Sequence, residues 1–308
     1  MLPITAGRLA NAAALLSLAT ANANAQTAAE PGRGSTTRAF VSVTPVAQLP
    51  AGLDAGGDMS AAGVLTRFGF TSALTPSLGA GLAFAYDYND YDFSGAGLLA
   101  SGGPWNVVQR VGLSAPLVFR GGPQWSFGVT PSVDAFGENG AEWSESLSYG
   151  ATVFATREFG ERRRLGFGVG VYQRPEQTVA FPFLAVDWAL SERLRLTNPL
   201  TAGPTGPAGL ELRYRFDGGW EGGIGAAYRS YRFRLAQDGP VPNGIGEEDG
   251  VPLFLRVSRS LGPAFSLDLY AGAILGGKLK VEDSSGTQVA SSDFASAPLL
   301  GLTFSARF

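Results

Sequence analysis

Apolar residues alternate with small or polar residues along most of the chain after about residue 38. In LGAGLAFAYDY (78–88), leucines and aromatic residues hold one set of alternate positions, and glycine, alanine and aspartate hold the other. LGFGVGVY (165–172), LELRYRF (210–216) and LLGLTFSARF (299–308) repeat this pattern. Successive side chains of a β-strand point to opposite faces, so the alternation predicts strands with one apolar face each. No segment after the N-terminus shows a convincing helical stripe.

The connectors between these stretches alternate in length. Short, turn-rich connectors lie at 75–77, 120–124, 160–164, 191–193, 217–219 and 261–263. Longer polar or glycine- and proline-rich ones lie at about 48–60, 89–104, 137–146, 173–178, 197–207, 236–250 and 276–296. The stretches between them predict about fourteen strands, from 38–47 to 297–308, with twelve as the alternative. Short turns at one end and long loops at the other are typical of an all-β, antiparallel up-and-down transmembrane β-barrel.

The position of the charges favours a membrane barrel over its alternative, a water-soluble barrel or sandwich. Arginines such as Arg67 and Arg110 fall opposite the apolar side chains, whereas the apolar positions hold almost no charge. Aromatic residues such as Trp125, Trp188 and Trp220 lie near strand ends, where membrane barrels carry their aromatic girdles. A bilayer cannot satisfy the free edge of a sheet, so such a sheet is expected to close on itself.

The first residues have the composition of an export signal. Arg8 precedes the short apolar stretch LANAAALLSLAT (9–20), and ANA (23–25) offers a small-x-small cleavage site before Gln26. The predicted organisation is therefore a signal peptide over 1–25, a flexible lead over 26–37 and a barrel over 38–308. The alternative for the first segment is a buried N-terminal helix, for which the sequence provides no periodic apolar face.

The last strand ends on an aromatic residue, with Phe304 and Phe308 on its apolar face. LLGLTFSARF resembles the C-terminal signal that bacterial outer-membrane barrels present to their insertion machinery. Together with YRSYRFRL (228–235) and LYAGAILGGKLKVED (269–283), it resembles a family of bacterial outer-membrane barrels of unassigned function, best over residues 208–308. The resemblance implies the outer membrane as location, outer-membrane lipid, lipopolysaccharide and the insertion machinery as partners, and no catalytic residues.

The composition of the chain argues against several classes of function. The chain has no cysteine and no histidine, so it lacks thiolate ligands, the commonest metal ligand and the commonest general base. Its net charge of −3, without a basic stripe, argues against nucleic-acid binding. GEEDG (246–250) and EDSSG (282–286) lack the ligand spacing of a calcium loop. We therefore expect no enzyme activity, no cofactor and no metal site, and the sequence leaves the oligomeric state open.

Charged residues on the predicted inner face are the remaining candidates for function. The proposed lumen-lining residues are Arg67, Arg110, Glu211, Arg213, Arg215, Arg256, Asp268 and Arg307. Either they face water and select ions in a passive channel for small anionic or zwitterionic solutes, or they pair and fill a closed structural or accessory barrel whose outer loops bind lipid or a partner. An inward-folding loop would distinguish the two, and 89–104 and 276–296 are the sequence candidates.

Overall fold

The computed structural model describes residues 37–95 and 102–308, almost all of them in β-strands. The strands are β1 (Thr37–Gly52), β2 (Asp58–Ala73), β3 (Leu78–Ser94), β4 (Val107–Ser114), β5 (Leu117–Arg120), β6 (Trp125–Glu138), β7 (Leu147–Glu158), β8 (Arg163–Arg174), β9 (Gln177–Ala189), β10 (Leu194–Thr197), β11 (Gly209–Arg215), β12 (Trp220–Ala227), β13 (Arg229–Arg234), β14 (Ile245–Ser260), β15 (Phe265–Glu282), β16 (Gln288–Phe294) and β17 (Ala297–Arg307). Among these residues no helix is both long and apolar enough to cross a membrane. The predicted signal segment and nearly all of the predicted lead lie outside the described residues.

The strands form one closed antiparallel sheet. Strands that lie next to each other in the wall pair antiparallel, and β1 pairs with β17 from Phe40–Arg307 to Gln48–Leu299, which closes the ring. A single parallel bridge, Arg234–Gly137, additionally joins β13 to β6. Three strands of the wall are interrupted and consist of two segments each, namely β4 with β5, β12 with β13 and β16 with β17. Counting each such pair as one strand of the wall, which we call a stave, the barrel has fourteen staves. The predicted all-β, up-and-down barrel of fourteen strands is confirmed.

The outer face of the barrel is apolar. On β14, Val251, Leu253, Leu255 and Val257 point outwards and are 39–56% exposed. On β3 the outward side chains run from Leu78 to Tyr88, a stretch about 25 Å tall at about 3.3 Å per residue and a tilt of about 40°. We call this zone the belt. The height of the belt matches the lipid-facing band of a transmembrane barrel.

Arginine–aromatic pairs mark the end of the barrel that carries both chain ends of the described structure, which we call the short-turn end. Arg157 lies over the rings of Trp125 and Phe159, at 5.6 and 5.1 Å from their centres. Arg163 lies 5.5 Å over Trp188. Arg259 lies over Trp220 in the same way, at 4.9 Å. A ring that holds both apolar and cationic groups suits the boundary between apolar surroundings and water.

The opposite end, the loop end, differs from the sequence prediction in its loop lengths. The predicted loop 48–60 is reduced to 53–57, 173–178 to the two residues 175–176, and 276–296 to 283–287, because the strands continue beyond the belt as hairpins. These extensions carry no lipid-facing stripe, so their composition resembles that of loops. Their pairing satisfies the backbone where the sequence pattern no longer indicates strands.

The loop-end extensions enclose an apolar core. Trp105 contacts Tyr91, Phe93 and Phe233 edge to face, and all four rings are buried. Further members of this core come from β1, β2, β6, β15 and β16. The apolar core of the molecule therefore sits in the mouth of the barrel, and the mouth is covered in this conformation.

Glycines on the inner face are covered by rings from the neighbouring strand. A Cβ atom on Gly168 would lie 2.2 Å from the Phe183 ring, and one on Gly170 would lie 2.3 Å from the Phe181 ring. The inward glycines of β8 therefore do not leave open space in the lumen. They provide the flat surface on which two inward aromatic rings of β9 pack.

Candidate functional site

A segment of the wall turns into the lumen. Strand β10 has only four residues, and the chain after Thr197 crosses the interior as the segment 198–208, which we call the inner loop. Thr44 on β1 donates a hydrogen bond of 2.6 Å to the carbonyl oxygen of Ala202. The inner loop thus folds into the lumen, where the sequence pattern suggested 89–104 or 276–296. Residues 276–296 form mainly β15 and β16, and residues 96–101 of the first candidate lie outside the described residues.

Small residues carry the contact between the inner loop and the opposite wall. Pro204 lies against Gly301 of β17, where a Cβ atom would come within 2.7 Å of the proline ring. Gly203 lies against the hydroxyl group of Tyr270 on β15, and that buried hydroxyl has no hydrogen-bond partner. Within the described residues, the attachment to this wall therefore combines one hydrogen bond with close van der Waals packing.

The departure of the inner loop interrupts the hydrogen-bond ladder of the wall. Strand β9 pairs with β10 only over Asp187–Ala189, and no described strand pairs with the preceding part of β9 on that side. The side chain of Asn198 partly replaces the missing strand. Its Oδ1 accepts from the N–H of Val186 at 2.8 Å, and its Nδ2 donates to the carbonyl oxygens of Leu184 and Gly209 at 3.0 Å each.

Pro182 lies on this unpaired edge of β9. The backbone groups of Leu184 and Val186 that bond to Asn198 point towards the β10 side, and backbone direction alternates along a strand. The nitrogen of Pro182 therefore faces the same side, where no strand needs its missing N–H. Proline within a strand is confined to such edges, so the sequence did carry a signal for this interruption.

Two clusters of buried charge lie at the level of the belt. In the first, Arg67 is paired with Asp87 by two hydrogen bonds, one of them 2.9 Å long. Arg110 donates to Asp134 at 2.8 Å and lies 3.7 Å from Asp87, which links both pairs across β2, β3, β4 and β6. Each arginine thus has an acid on a neighbouring strand of the same wall.

The second cluster centres on Arg256 of β14. Its Nε donates to Glu211 Oε1 and its Nη1 to Asp268 Oδ1, both at 2.6 Å, and its Nη2 donates to Glu221. Arg213 binds the other oxygen of Glu211 at 3.1 Å and the carbonyl oxygen of Asn198 at 3.2 Å. The Arg256, Glu211 and Asp268 side chains are at most 2% exposed, so bulk water does not reach them.

A third charged group lies beyond the belt on the loop side. Arg232 binds Glu247 at 2.8 Å and Glu282 at 2.6 Å, and Lys280 lies 3.2 Å from Asp249. Burial, and next the neighbouring Glu247 carboxylate, raise the pKa of Asp249 to about 6. The acidic residues of GEEDG thus take part in ion pairs of the covered mouth. Asp283 of EDSSG accepts hydrogen bonds from Ser285 and Thr287 in its own turn.

Below the inner loop, the lumen opens at the short-turn end. A cavity of ≈ 480 Å³ lies there, which we call the vestibule. Pro199, Leu200 and Thr201 of the inner loop border it. Its charged lining comprises six arginines and three acids, namely Arg162, Arg193, Arg195, Arg213, Arg215, Arg307, Asp187, Glu192 and Glu221. The vestibule is therefore rich in arginine and is bounded by the inner loop.

The structure distributes the predicted lumen residues over three places. Arg67 and Arg110 belong to the first buried cluster, and Glu211, Arg213, Arg256 and Asp268 to the second. Arg215 and Arg307 are exposed in the vestibule. Phe304 and Phe308 point outwards on the last strand, 41% and 69% exposed. Sequence reasoning missed Arg195, Asn198 and Thr44, because it placed no functional segment between β9 and β11.

Comparisons with known proteins give likenesses of fold. No family model matches the chain, and no curated protein matches it. The chain is similar to an outer membrane channel from Pseudomonas putida F1, with 13% identity, a TM-score of 0.48 and coverage of 91% of this chain and 97% of that chain. It is also similar to the toluene transporter TodX of P. putida, with 8% identity, a TM-score of 0.43 and coverage of 92% and 94%.

A FadL homologue from Pseudomonas aeruginosa resembles the chain at a comparable level. The identity is 13%, the TM-score is 0.40, and 88% of this chain and 89% of that chain are covered.

Proposed function

We propose that the chain is a bacterial outer-membrane barrel that forms a passive channel for small solutes, closed in this conformation at two levels, by the inner loop in the lumen and by the apolar core in the mouth. The observation that carries the proposal is the course of residues 198–208, which leave the wall and cross the lumen above an open vestibule. A barrel that serves only as a wall has no need to interrupt its own hydrogen-bond ladder inside the belt. A movable barrier accounts for that interruption.

Membrane insertion is supported by the outer face. The belt is apolar, about 25 Å tall, and bordered at the short-turn end by arginine–aromatic pairs. Closure of the sheet removes the free edges that a bilayer would leave unsatisfied. Insertion through the last strand, with Phe304 and Phe308 as its signal, and contact with lipopolysaccharide at the loop end belong to the same proposal.

The size of the barrel leaves room for a pathway. Eight strands enclose a lumen that side chains fill, whereas 16 to 18 strands leave an aqueous channel, so fourteen staves enclose more space than side chains alone require. Here the inner loop and the two buried charge clusters occupy that space. Among the described contacts, one hydrogen bond holds the inner loop to the opposite wall, whereas Arg256 forms ion pairs with three carboxylates.

A closed structural barrel is the second candidate, and two observations favour it. The mouth is covered by the apolar core around Trp105, and the Arg256 cluster is buried. Under this alternative the inner loop is a permanent filling of the lumen. The two functions differ in whether the loop can leave its place.

A reversible cross-link tests the movement of the inner loop. A Cβ atom on Gly301 would lie 3.3 Å from Cβ of Pro204, close to the separation of about 3.8 Å in a disulfide. The chain contains no cysteine, so Pro204→Cys/Gly301→Cys introduces one unique pair. In a planar bilayer we expect conductance from the reduced variant and its loss on oxidation. The single variants Pro204→Cys and Gly301→Cys should conduct under both conditions.

Deletion of residues 200–206 provides the complementary test, because it removes one of the two barriers, the inner loop, and leaves the strands in place. We expect a larger conductance than that of the unmodified barrel. Absence of current from the deletion variant and from the reduced double variant, both shown to be inserted, would reject the channel in favour of the closed barrel.

A further inference from the structure

We infer that the vestibule contains a binding site for a small oxyanion, a carboxylate- or phosphate-bearing solute, formed by Arg213, Arg215, Arg195 and Arg307. The inference rests on the proposed channel function and names the class of solute that would enter it. Its starting point is an excess of arginine in a cavity of ≈ 480 Å³, a size suited to a small organic ligand.

The register of the sheet brings like charges together. Arg195 on β10 is directly opposite Arg213 on β11, and Arg215 follows two residues later on the same inner face. Like charges opposite each other on neighbouring strands destabilise a sheet. Arg195 is offset by Asp187 at 2.6 Å and Arg213 by Glu211 at 3.1 Å. Two of the four arginines therefore have their charge balanced by the protein.

Arg215 and Arg307 lack a carboxylate that would balance their charge within the described residues. Within the described residues, no carboxylate forms an ion pair with Arg215 or with Arg307, although both line the vestibule. Of the other acids that line the vestibule, Glu221 is bound to Arg256, and Glu192 lies in the turn between β9 and β10. The vestibule thus presents two exposed guanidinium groups from different parts of the wall, β11 and β17, towards one cavity.

Guanidinium groups are suited to oxyanions. Each presents N–H groups in a planar fork that matches the two oxygens of a carboxylate or phosphate. Arg213 also donates to the carbonyl oxygen of Asn198, the first residue of the inner loop. An oxyanion bound between these arginines would therefore lie at the base of the inner loop, where a solute would meet the barrier.

Binding can be measured without current, on the full barrel in detergent micelles. We expect titration calorimetry at constant ionic strength to show binding of inorganic phosphate and of succinate, with chloride as the reference anion. Arg215→Gln/Arg307→Gln should weaken binding at least tenfold. The matched control Arg157→Gln/Arg259→Gln removes two charges from the outer rim at the same end and should bind as the unmodified barrel does.

Each outcome of the titration has a definite meaning. Equal weakening in both double variants would overturn the site, because it would show a general effect of charge. No phosphate or succinate binding to the unmodified barrel would also overturn it. A short-chain phosphatidylglycerol in the same micelles distinguishes the source of the phosphate, and binding of this lipid alone would overturn the assignment to a soluble solute.

The site and the channel can fail separately. A barrel that binds phosphate through Arg215 and Arg307 but never conducts would retain the site and lose the proposed function. A barrel that conducts and binds no oxyanion would retain the function and lose the site. Both double variants change side chains that are exposed or, for Arg259, half-buried, so a shift between heated and unheated samples on a denaturing gel is expected to confirm that each still folds.

Discussion

Replacing Arg256 by glutamine should destabilise the barrel strongly, because one guanidinium serves three carboxylates. At 2.6 Å, each of the pairs with Glu211 and Asp268 has a Coulomb attraction of about 6 kcal/mol at an effective dielectric constant of about 20. Desolvation of the charges offsets much of that attraction in the intact cluster. In the variant, Glu211 and Asp268 remain buried without the attraction of Arg256. Removing one partner of a buried pair typically costs roughly 3–5 kcal/mol, which is the loss we expect.

The three acids should not contribute equally to this loss. Glu221 is 30% exposed and can be hydrated, and Glu211 keeps Arg213 at 3.1 Å. Asp268 is 2% exposed, and Arg256 is its ion-pair partner among the described residues. Asp268 should therefore account for most of the cost. Asp268→Asn in the Arg256→Gln background should therefore restore more than half of the lost free energy.

Urea unfolding in lipid vesicles, followed by tryptophan fluorescence, measures the free energy of unfolding. Arg38→Gln is the control, since Arg38 is exposed at the start of β1. If Arg256→Gln were as stable as Arg38→Gln, to within about 0.5 kcal/mol, water would reach the cluster and the picture of a dry, paired wall would be refuted.

Two further substitutions test the packing of β8 and the role of the last residue. Gly170→Ala places a Cβ atom 2.3 Å from the Phe181 ring and should lower the free energy of unfolding by about 1–3 kcal/mol in the same urea titration. Gly79→Ala is its control, because the nearest atom to the new Cβ would be 3.7 Å away. This control should change the free energy of unfolding by less than about 0.5 kcal/mol. Phe308→Asp should reduce the membrane-inserted fraction severalfold and leave the inserted barrel nearly as stable, because the side chain is 69% exposed and the backbone of Phe308 keeps both hydrogen bonds to Ala39. Phe216→Asp, at the same rim on another strand, is its control, and equal insertion of the two variants would contradict a signal role for Phe308.

Alternation made the belt predictable from sequence. On β3, β14 and β17 the apolar residues at alternate positions face outwards along the belt, as the period-two pattern indicates. The pattern fails where both faces of a strand are covered. In β13, RSYRFR, five of the six residues are buried, so apolar and charged side chains are needed on both faces and the sequence resembles a loop.

The inner loop shows a second limit. Residues 198–208, NPLTAGPTGPA, have the composition of a loop, and the sequence analysis placed one at 197–207. Its direction depends on partners distant in sequence, such as Thr44 and Gly301, which no local pattern brings together. Two local signals do exist: Pro182 identifies the strand edge that the loop leaves open, and the segment carries no charged residue to keep it in water.

The belt has a consequence for the chain before it folds. Only every second residue of a strand contributes to the lipid-facing surface, so the mean hydropathy of the chain is just +0.09. A bilayer retains a segment as a helix when about 20 consecutive residues are predominantly apolar. Separate strands offer no such segment, and a continuous apolar surface forms only when the ladder assembles. For the membrane barrel proposed here, affinity for lipid is therefore a product of folding, and the unfolded polypeptide stays compatible with water.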